Sequence, residues 1–184
     1  MEVAKFELVS EEEYERAKKE FITANKMSIP FLPYDKLLLP KRGTKKSAGY
    51  DFFSPFSDTV DMRTPGPLSK VMIPTMVKIK FYEGCDDYFL AIYIRSSMGM
   101  KGIKLSNQVG VIDADYYNNQ TNEGNIGVLL ENQKHLFERA TPFGFGYQIK
   151  PGDKICQGVI QKYFTAEEAE ATDERTGGFG SSGN

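Results

Sequence analysis

Four stretches of the chain carry residue types that do chemistry. In RSSMGMKG (95–102) a cation, two hydroxyls and a glycine turn follow directly on the apolar run YFLAIYI (88–94). Fixed charge, short donors and close backbone approach are the mixture a phosphate site requires. In GVIDADYY (110–117) Asp113 and Asp115 fall two residues apart, which places them on one side of an extended segment. Such a pair can hold a water or a cation, and Tyr116 adds a flat face beside it. SAGYDFF (47–53) sets Asp51 next to aromatics on a strand, and PGDKICQG (151–158) turns into another strand through Gly152-Asp153. Each stretch also has a plain structural use: a strand exit with an exposed arginine, a hairpin end with solvated acids, an ordinary turn.

Other chemistry is scarce. His135 is the one histidine, and Cys85 and Cys156 stand far apart with no CxxC pair. Zinc sites, including those of the zinc nucleobase deaminases, lack ligands, and a Ser-His-Asp triad would have to run through His135 alone. A net charge of −2 gives no basic field for nucleic acid. No apolar run approaches the ~20 residues of a membrane span. The N-terminal stretch is acidic and polar, unlike a secretory signal. A cytoplasmic protein with reduced cysteines is expected, and 184 residues suit one domain with a small appendage.

The elements that must position these groups divide into three parts. Residues 1–28 form a helical extension: Ser10 and Glu13 make a capping box, and Tyr14, Ala17, Phe21 and Ala24 give one apolar stripe over a helix at 11–25. Nothing in that helix is chemical, so it reads as a decoration. Residues 29–164 are strand and turn. Val77, Ile79 and Phe81 alternate with lysines, 88–94 reads as a strand buried on both faces, and 126–130, 145–149 and 155–163 add short strands. Many short strands between Gly and Pro turns indicate an all-β sandwich, jelly roll or barrel. Residues 165–184 are acidic, then rich in Gly and Ser around Arg175 and Phe179; composition alone reads them as a disordered tail.

SAGYD, RSSMGMKG, GVIDADY, GDKICQ and RTGGFGSSG occur in this order. The set resembles the five-motif signature of the trimeric dUTP diphosphatases (dUTPases), over roughly residues 36–183. The resemblance implies a distorted β jelly roll assembled as a homotrimer, with each active site built from three chains. It implies hydrolysis of dUTP to dUMP and pyrophosphate, with Mg²⁺ on the triphosphate, which limits uracil in DNA and supplies dUMP for thymidylate synthesis. Carried over by position, Asp113 activates the attacking water and holds the 3′-hydroxyl. Tyr116 packs on the deoxyribose and leaves no room for a 2′-hydroxyl. Asn107 lines the uracil pocket. Arg95, Ser96, Ser97 and Gln157 belong to the phosphate region. Asp51 stands near the shell of waters around the metal, with no direct protein ligand to it. Arg175 reaches the γ-phosphate, Phe179 covers uracil, and Ser181 and Ser182 contact phosphate.

The chain departs from the pattern in two places. YNNQTNE (117–123) adds about six residues before Gly124, and its polarity reads as a solvent-facing hairpin extension. The tail motif Arg175-Thr176-Gly177-Gly178-Phe179 is one residue shorter than is usual in the family. Two rival functions follow from the same fold. A dCTP deaminase needs a glutamate on the strand NIGVLLEN (125–132); Leu129 stands at that position, and Glu131 is offset by two residues on the same face. A regulatory module would use the N-terminal helix and the Asn-rich loop to bind a protein partner, but such a role gives no use to Asp113, Tyr116, Arg175 and Phe179.

Overall fold

A computed structural model of the protein describes residues 1–26, 28–64, 69–133 and 145–167. The chain begins with strand β1 (Ala4–Leu8) and helix α1 (Glu11–Asn25). Eleven further strands follow: β2 (Lys41–Arg42), β3 (Tyr50–Phe53), β4 (Val60–Thr64), β5 (Lys70–Pro74), β6 (Val77–Phe81), β7 (Tyr88–Tyr93), β8 (Ile103–Leu105), β9 (Gly110–Ile112), β10 (Gly127–Asn132), β11 (Phe145–Ile149) and β12 (Lys154–Lys162). A one-turn helix, α2 (Ser96–Gly99), separates β7 from β8. Among the described residues, no helix is long and apolar enough to cross a membrane.

Period-two patterning sets the strand faces. In β6, Val77, Ile79 and Phe81 are buried and the lysines between them lie on the other face; β10 buries Val128, Leu130 and Asn132 in the same way. The largest sheet runs β2-β3-β12-β7-β9, a second runs β5-β10-β8, and β11-β4 and β1-β6 form pairs, all antiparallel. β3 and β12 are neighbours in space although about a hundred residues separate them in sequence. This is the all-β jelly-roll arrangement that the motif order implied. The sheets enclose one core, with Phe52, Leu90, Ile92, Ile112 and Ile155 from the large sheet facing Met62, Ile73, Val128 and Leu130. Gly158 lies where that core meets strand backbone: a Cβ there would stand 2.8 Å from Leu90 Cδ1.

Helix α1 has the predicted bounds, and its stripe joins this same core. Tyr14, Ala17 and Phe21 are buried, while Ala24 is exposed. Phe21 packs on Phe31 and Phe56 with ring centroids 5.5 and 5.3 Å apart, and Tyr14 Oη donates to the Leu32 carbonyl at 2.6 Å. The capping box is only half formed. Ser10 Oγ accepts from the Glu13 N–H at 3.1 Å, but the Ser10 N–H donates to Glu123 Oε2 at 3.0 Å. Glu13 is drawn inward instead, because Arg16 grips it at 2.6 and 2.9 Å and Asn125 Nδ2 donates to it at 3.0 Å. Strand β1, absent from the sequence reading, pairs with β6 along its length.

The Asn-rich loop is only partly the solvent-facing extension its polarity suggested: Asn118, Gln120 and Thr121 are exposed, but the loop also turns inward. Asn119 is buried, its Nδ2 donating to the Tyr116 carbonyl at 2.9 Å and to Asn122 Oδ1 at 2.7 Å. Its Oδ1 accepts from the Thr121 N–H and hydroxyl. These side-chain bonds add to backbone pairs across the loop, from the Asn118 N–H to the Glu123 carbonyl and from the Glu123 N–H to the Asn119 carbonyl, both at 3.0 Å. Gly124 closes the loop at φ +83°, where a Cβ would lie 2.7 Å from the Tyr116 carbonyl oxygen. Tyr117 Oη donates to Glu7 at 2.6 Å, and that bond, with burial, pushes the phenol up to about 12. The aromatic contacts of α1 give the first test. Phe21→Ala removes a ring from a three-ring cluster and is expected to cost ~3–5 kcal/mol in urea unfolding. A loss under ~1 kcal/mol would show that α1 rests loosely on the core.

Candidate active site

Two groups of predicted site residues form on the large sheet, and they stand apart. The first is built around Asp51 on β3. The ladder sets Asp51 opposite Gln157 on β12 and Gln157 opposite Tyr93 on β7, so one row crosses three strands. Arg95, two residues beyond Tyr93, donates through Nε to Asp51 Oδ1 at 2.8 Å. Lys154 Nζ lies 2.7 Å from Asp51 Oδ2. Asp51 is 7% exposed and its carboxylate is shared between two cations, which leaves the cluster one positive charge in excess. Arg95 Nη1 also reaches Ser97 Oγ at 3.4 Å, and Ser96 and Ser97 are exposed in the first turn of α2. Gln157 Nε2 donates to the Ile94 carbonyl at 3.3 Å.

Asp51, Arg95, Lys154 and Gln157 line an open cleft of ≈ 470 Å³ whose far wall is the 43–49 loop. Arg42 winds that loop, donating to the Ser47 carbonyl at 2.6 Å and to the Lys45 carbonyl. Thr44 and Ser47 hydroxyls meet at 2.8 Å within it. Gly49 gives Gln157 room, since a Cβ there would lie 2.8 Å from Gln157 Oε1. Lys154 and the Thr44–Ser47 wall were not among the residues predicted from sequence. Lys154 sits directly after the Gly152-Asp153 turn, and the signal for it was a cation at the start of a motif strand.

The second group flanks β9, at the sheet's edge. Asn107 is exposed in the turn before β9; its Nδ2 stands 3.7 Å from where a Cβ on Gly110 would be. That turn is anchored to β10: the Ser106 N–H donates to the Leu129 carbonyl at 2.9 Å and Ser106 Oγ to Glu131 Oε2 at 2.6 Å. The Ser106 bond holds the Glu131 carboxyl below its ordinary value, against burial and with help from Gln133 and Lys104. Asp113 directly follows β9 and is exposed. Asp113 and Asp115 do not share a side of an extended segment, as the spacing predicted. The backbone folds into a 3-10 turn over Ala114–Tyr116, with the Tyr116 N–H on the Asp113 carbonyl, which takes Asp115 out of the strand's alternation. Tyr116 is buried at 3% exposure, its hydroxyl turned inward to the Asn125 carbonyl.

The ladder fixes the distance between the groups. Ile112 pairs with Leu90, whereas the Asp51 row meets β7 at Tyr93. Asp113 is therefore four residues along and three strands across from Asp51, about 20 Å at ~3.3 Å per residue and ~4.8 Å per strand. His135, Arg175, Phe179, Ser181 and Ser182 lie outside the described residues.

The jelly roll thus carries a cationic cleft whose charge suits an anionic group, and an exposed carboxylate apart from it. The dUTPase family model matches residues 35–183. The chain is 39% identical over 148 residues to the deoxyuridine 5'-triphosphate nucleotidohydrolase of Lactococcus lactis, covering 79% of this chain and 87% of that one. It is 36% identical over 151 residues to the Finegoldia magna enzyme of the same name, covering 79% and 91%. Among solved structures it is similar to the dUTPase of Streptococcus mutans, with a TM-score of 0.60, 28% identity, and coverage of 89% and 98%. This protein belongs to the dUTPase family.

The Ser106–Glu131 bond makes a pH test of the Asn107 turn. Glu131 titrates lower in the folded chain than in the unfolded one, so its contribution is present above the unfolded value and fades as pH falls through the folded one. Ser106→Ala is expected to cost ~1 kcal/mol at pH 7 and progressively less below about pH 4. An equal loss at pH 7 and pH 3, read by urea unfolding, would contradict the assignment.

Proposed function

We propose that the protein hydrolyses dUTP to dUMP and pyrophosphate in a homotrimer whose active sites are shared between chains. The observation that carries this reading is the separation of Asp113 from the Asp51–Arg95–Lys154 cluster. An activating carboxylate must lie within ~3 Å of its water, and the guanidinium must lie equally close to a phosphate oxygen. One substrate cannot meet both groups of one chain across about 20 Å. It can meet Asp113 of one chain and Arg95 of the next if subunits bring β9 of one against the cleft of another.

In this site Asp113 takes a proton from water as the water attacks the phosphorus in line with the leaving pyrophosphate. Arg95, Ser96, Ser97, Gln157 and Lys154 hold the phosphates. Tyr116 closes the sugar side, and Asn107 offers amide groups to the uracil edge. Arg175, Phe179, Ser181 and Ser182 of the C-terminal segment complete the enclosure over the γ-phosphate and base.

The cluster's excess positive charge suits an anion, and both Asp51 oxygens are held by side-chain nitrogens. Mg²⁺ fits this site as a companion of the triphosphate, with Asp51 near its water shell. Bound there, it would neutralise phosphate charge and stabilise the leaving pyrophosphate. Cytoplasmic location follows from the reading as a nucleotide-pool enzyme. Glu131, the carboxylate the deaminase alternative would call on, is committed to a short bond from Ser106 Oγ, which speaks against a catalytic role there.

Pyrophosphate release measured across dUTP, dTTP, dCTP and UTP tests the substrate: turnover confined to dUTP is expected, and release of dUTP or dUMP from dCTP would overturn it. Asp113→Asn should lower turnover by ~10²–10⁴ while substrate still binds. Arg95→Ala should be impaired in turn. Mixed oligomers of the two variants should regain activity, because some sites then combine an intact Asp113 with an intact Arg95. Mixtures that stay inactive after confirmed subunit exchange would place both residues in a site within one chain.

A further inference from the structure

Rejecting a 2′-hydroxyl by contact requires a wall that does not yield. Tyr116 is that wall in the reading above, yet it lies in no strand; it ends a 3-10 turn beyond β9 that packs against β6 and joins the core. Beyond that packing, its polar atoms are held by the loop that follows. Asn122 Nδ2 donates to Tyr116 Oη at 2.8 Å, and Tyr116 Oη donates to the Asn125 carbonyl at 3.1 Å. At the other end of the residue, Asn119 Nδ2 donates to the Tyr116 carbonyl at 2.9 Å. Asn122 is fixed in turn: its Nδ2 also reaches the Asn125 carbonyl at 3.2 Å, and its Oδ1 accepts from Asn119 Nδ2 at 2.7 Å and from the Gly124 N–H at 3.1 Å.

The loop hangs on helix α1. The Glu123 carboxylate accepts from the N–H and the hydroxyl of Ser10, the helix N-cap, and lies 3.3 Å from Lys78 Nζ. Burial would raise the Glu123 pKa, but the two Ser10 bonds and Lys78 outweigh it and keep the carboxylate ionised at neutral pH. Asn125 Nδ2 donates to Glu13, while Asn125 Oδ1 accepts from the Met76 N–H at 3.1 Å and ties the same segment to the β5–β6 turn. Both ends of the capping box, Ser10 and Glu13, thus face the segment that carries Asn122.

We propose that the 117–124 loop, clamped by the N-terminus of α1, positions Tyr116 for selection of 2′-deoxy sugars, with Asn122 and Glu123 as its positioning residues. Neither residue touches substrate; each acts through the tyrosine ring. A tyrosine pinned at its hydroxyl and at its backbone carbonyl resists displacement, and a ring whose hydroxyl is freed moves aside for an extra oxygen. The inference rests on the reading of Tyr116 as the sugar wall.

The experiment measures inhibition of dUTP turnover by dUDP and by UDP, so that sugar preference is read even where UTP is not turned over. Asn122→Ala is expected to narrow the UDP/dUDP ratio of inhibition constants by about three- to tenfold, the effect of one lost hydrogen bond, with KM for dUTP rising more than kcat falls. Glu123→Gln should narrow it less, in the same direction. Tyr116→Phe keeps the ring and removes the hydroxyl, so it should reproduce Asn122→Ala, and the double variant should narrow no further. Thermal unfolding identifies the variants that remain folded; if Asn122→Ala is not among them, Glu123→Gln decides. A ratio unchanged in the folded positioning variants while Tyr116→Ala narrows it overturns the inference and leaves the sugar wall standing. A ratio unchanged even in Tyr116→Ala removes the wall itself. Narrowing in Asn122→Ala without any in Glu123→Gln overturns the part given to α1.

Discussion

The order of four antiparallel strands, β3, β12, β7 and β9, governs everything else in this protein. A hydrogen-bonded ladder is stiff along both its axes, so the row that holds Asp51, Gln157 and Tyr93 and the pair Leu90–Ile112 keep their separation. The cations and the exposed carboxylate of one chain therefore cannot be drawn together by side-chain motion. In the proposed reaction this turns association into part of catalysis. Residues that seal the contact between subunits then matter to turnover as much as those that touch phosphate. A variant that weakens assembly would mimic a catalytic lesion without altering any reacting group.

Helix α1 shows how a local rule gives way to a tertiary one. A fifteen-residue helix is marginal in isolation, and most of its stability must come from the face it buries. Its capping box would have satisfied Ser10 and Glu13 within the helix. Instead Glu13 lies buried among Arg16 and Asn125, and Glu123 takes over the Ser10 N–H. A buried carboxylate with a bidentate arginine costs desolvation and contributes little net stability, so its retention suits a role in fixing geometry rather than in holding the fold. What it fixes is Asn125, which carries the Tyr116 hydroxyl on one side and the β5–β6 turn on the other.

Most of the framework was legible in the sequence because it follows periodicity. The alternation in β6, the apolar run of β7 and the bounds of α1 are visible in residue order, and the five ordered motifs point to the residues around the cleft. β1 was missed although Ala4, Phe6 and Leu8 alternate with Lys5 and Glu7, because five residues before a helix carry too little pattern to stand alone. The inward half of the Asn-rich loop was missed for a different reason. Asparagine side chains that brace a loop from within and asparagines that face water look the same in sequence. The same limit applies to Asp115, which the spacing placed beside Asp113 until the Tyr116 N–H closed a 3-10 turn between them. Lys154 was legible only as a turn neighbour, since its partner Asp51 lies about a hundred residues away.

In the proposed reaction, the pairing of Asp51 with Lys154 and Arg95 accounts for a carboxylate standing where phosphates would bind. Two long cationic side chains on their own would repel each other and sample many rotamers, and ordering them on arrival of substrate would consume binding energy. Asp51 holds both by short bonds, and a shared row of the sheet fixes Asp51 itself. The cost is partial neutralisation of the field, which one excess positive charge survives. Donors already fixed in position need little reorganisation when charge moves onto the leaving phosphates, and that is where electrostatic stabilisation is most effective. In that proposed reaction the arrangement gives up part of the attraction for the resting triphosphate in exchange for cations that are already in place when its bond breaks.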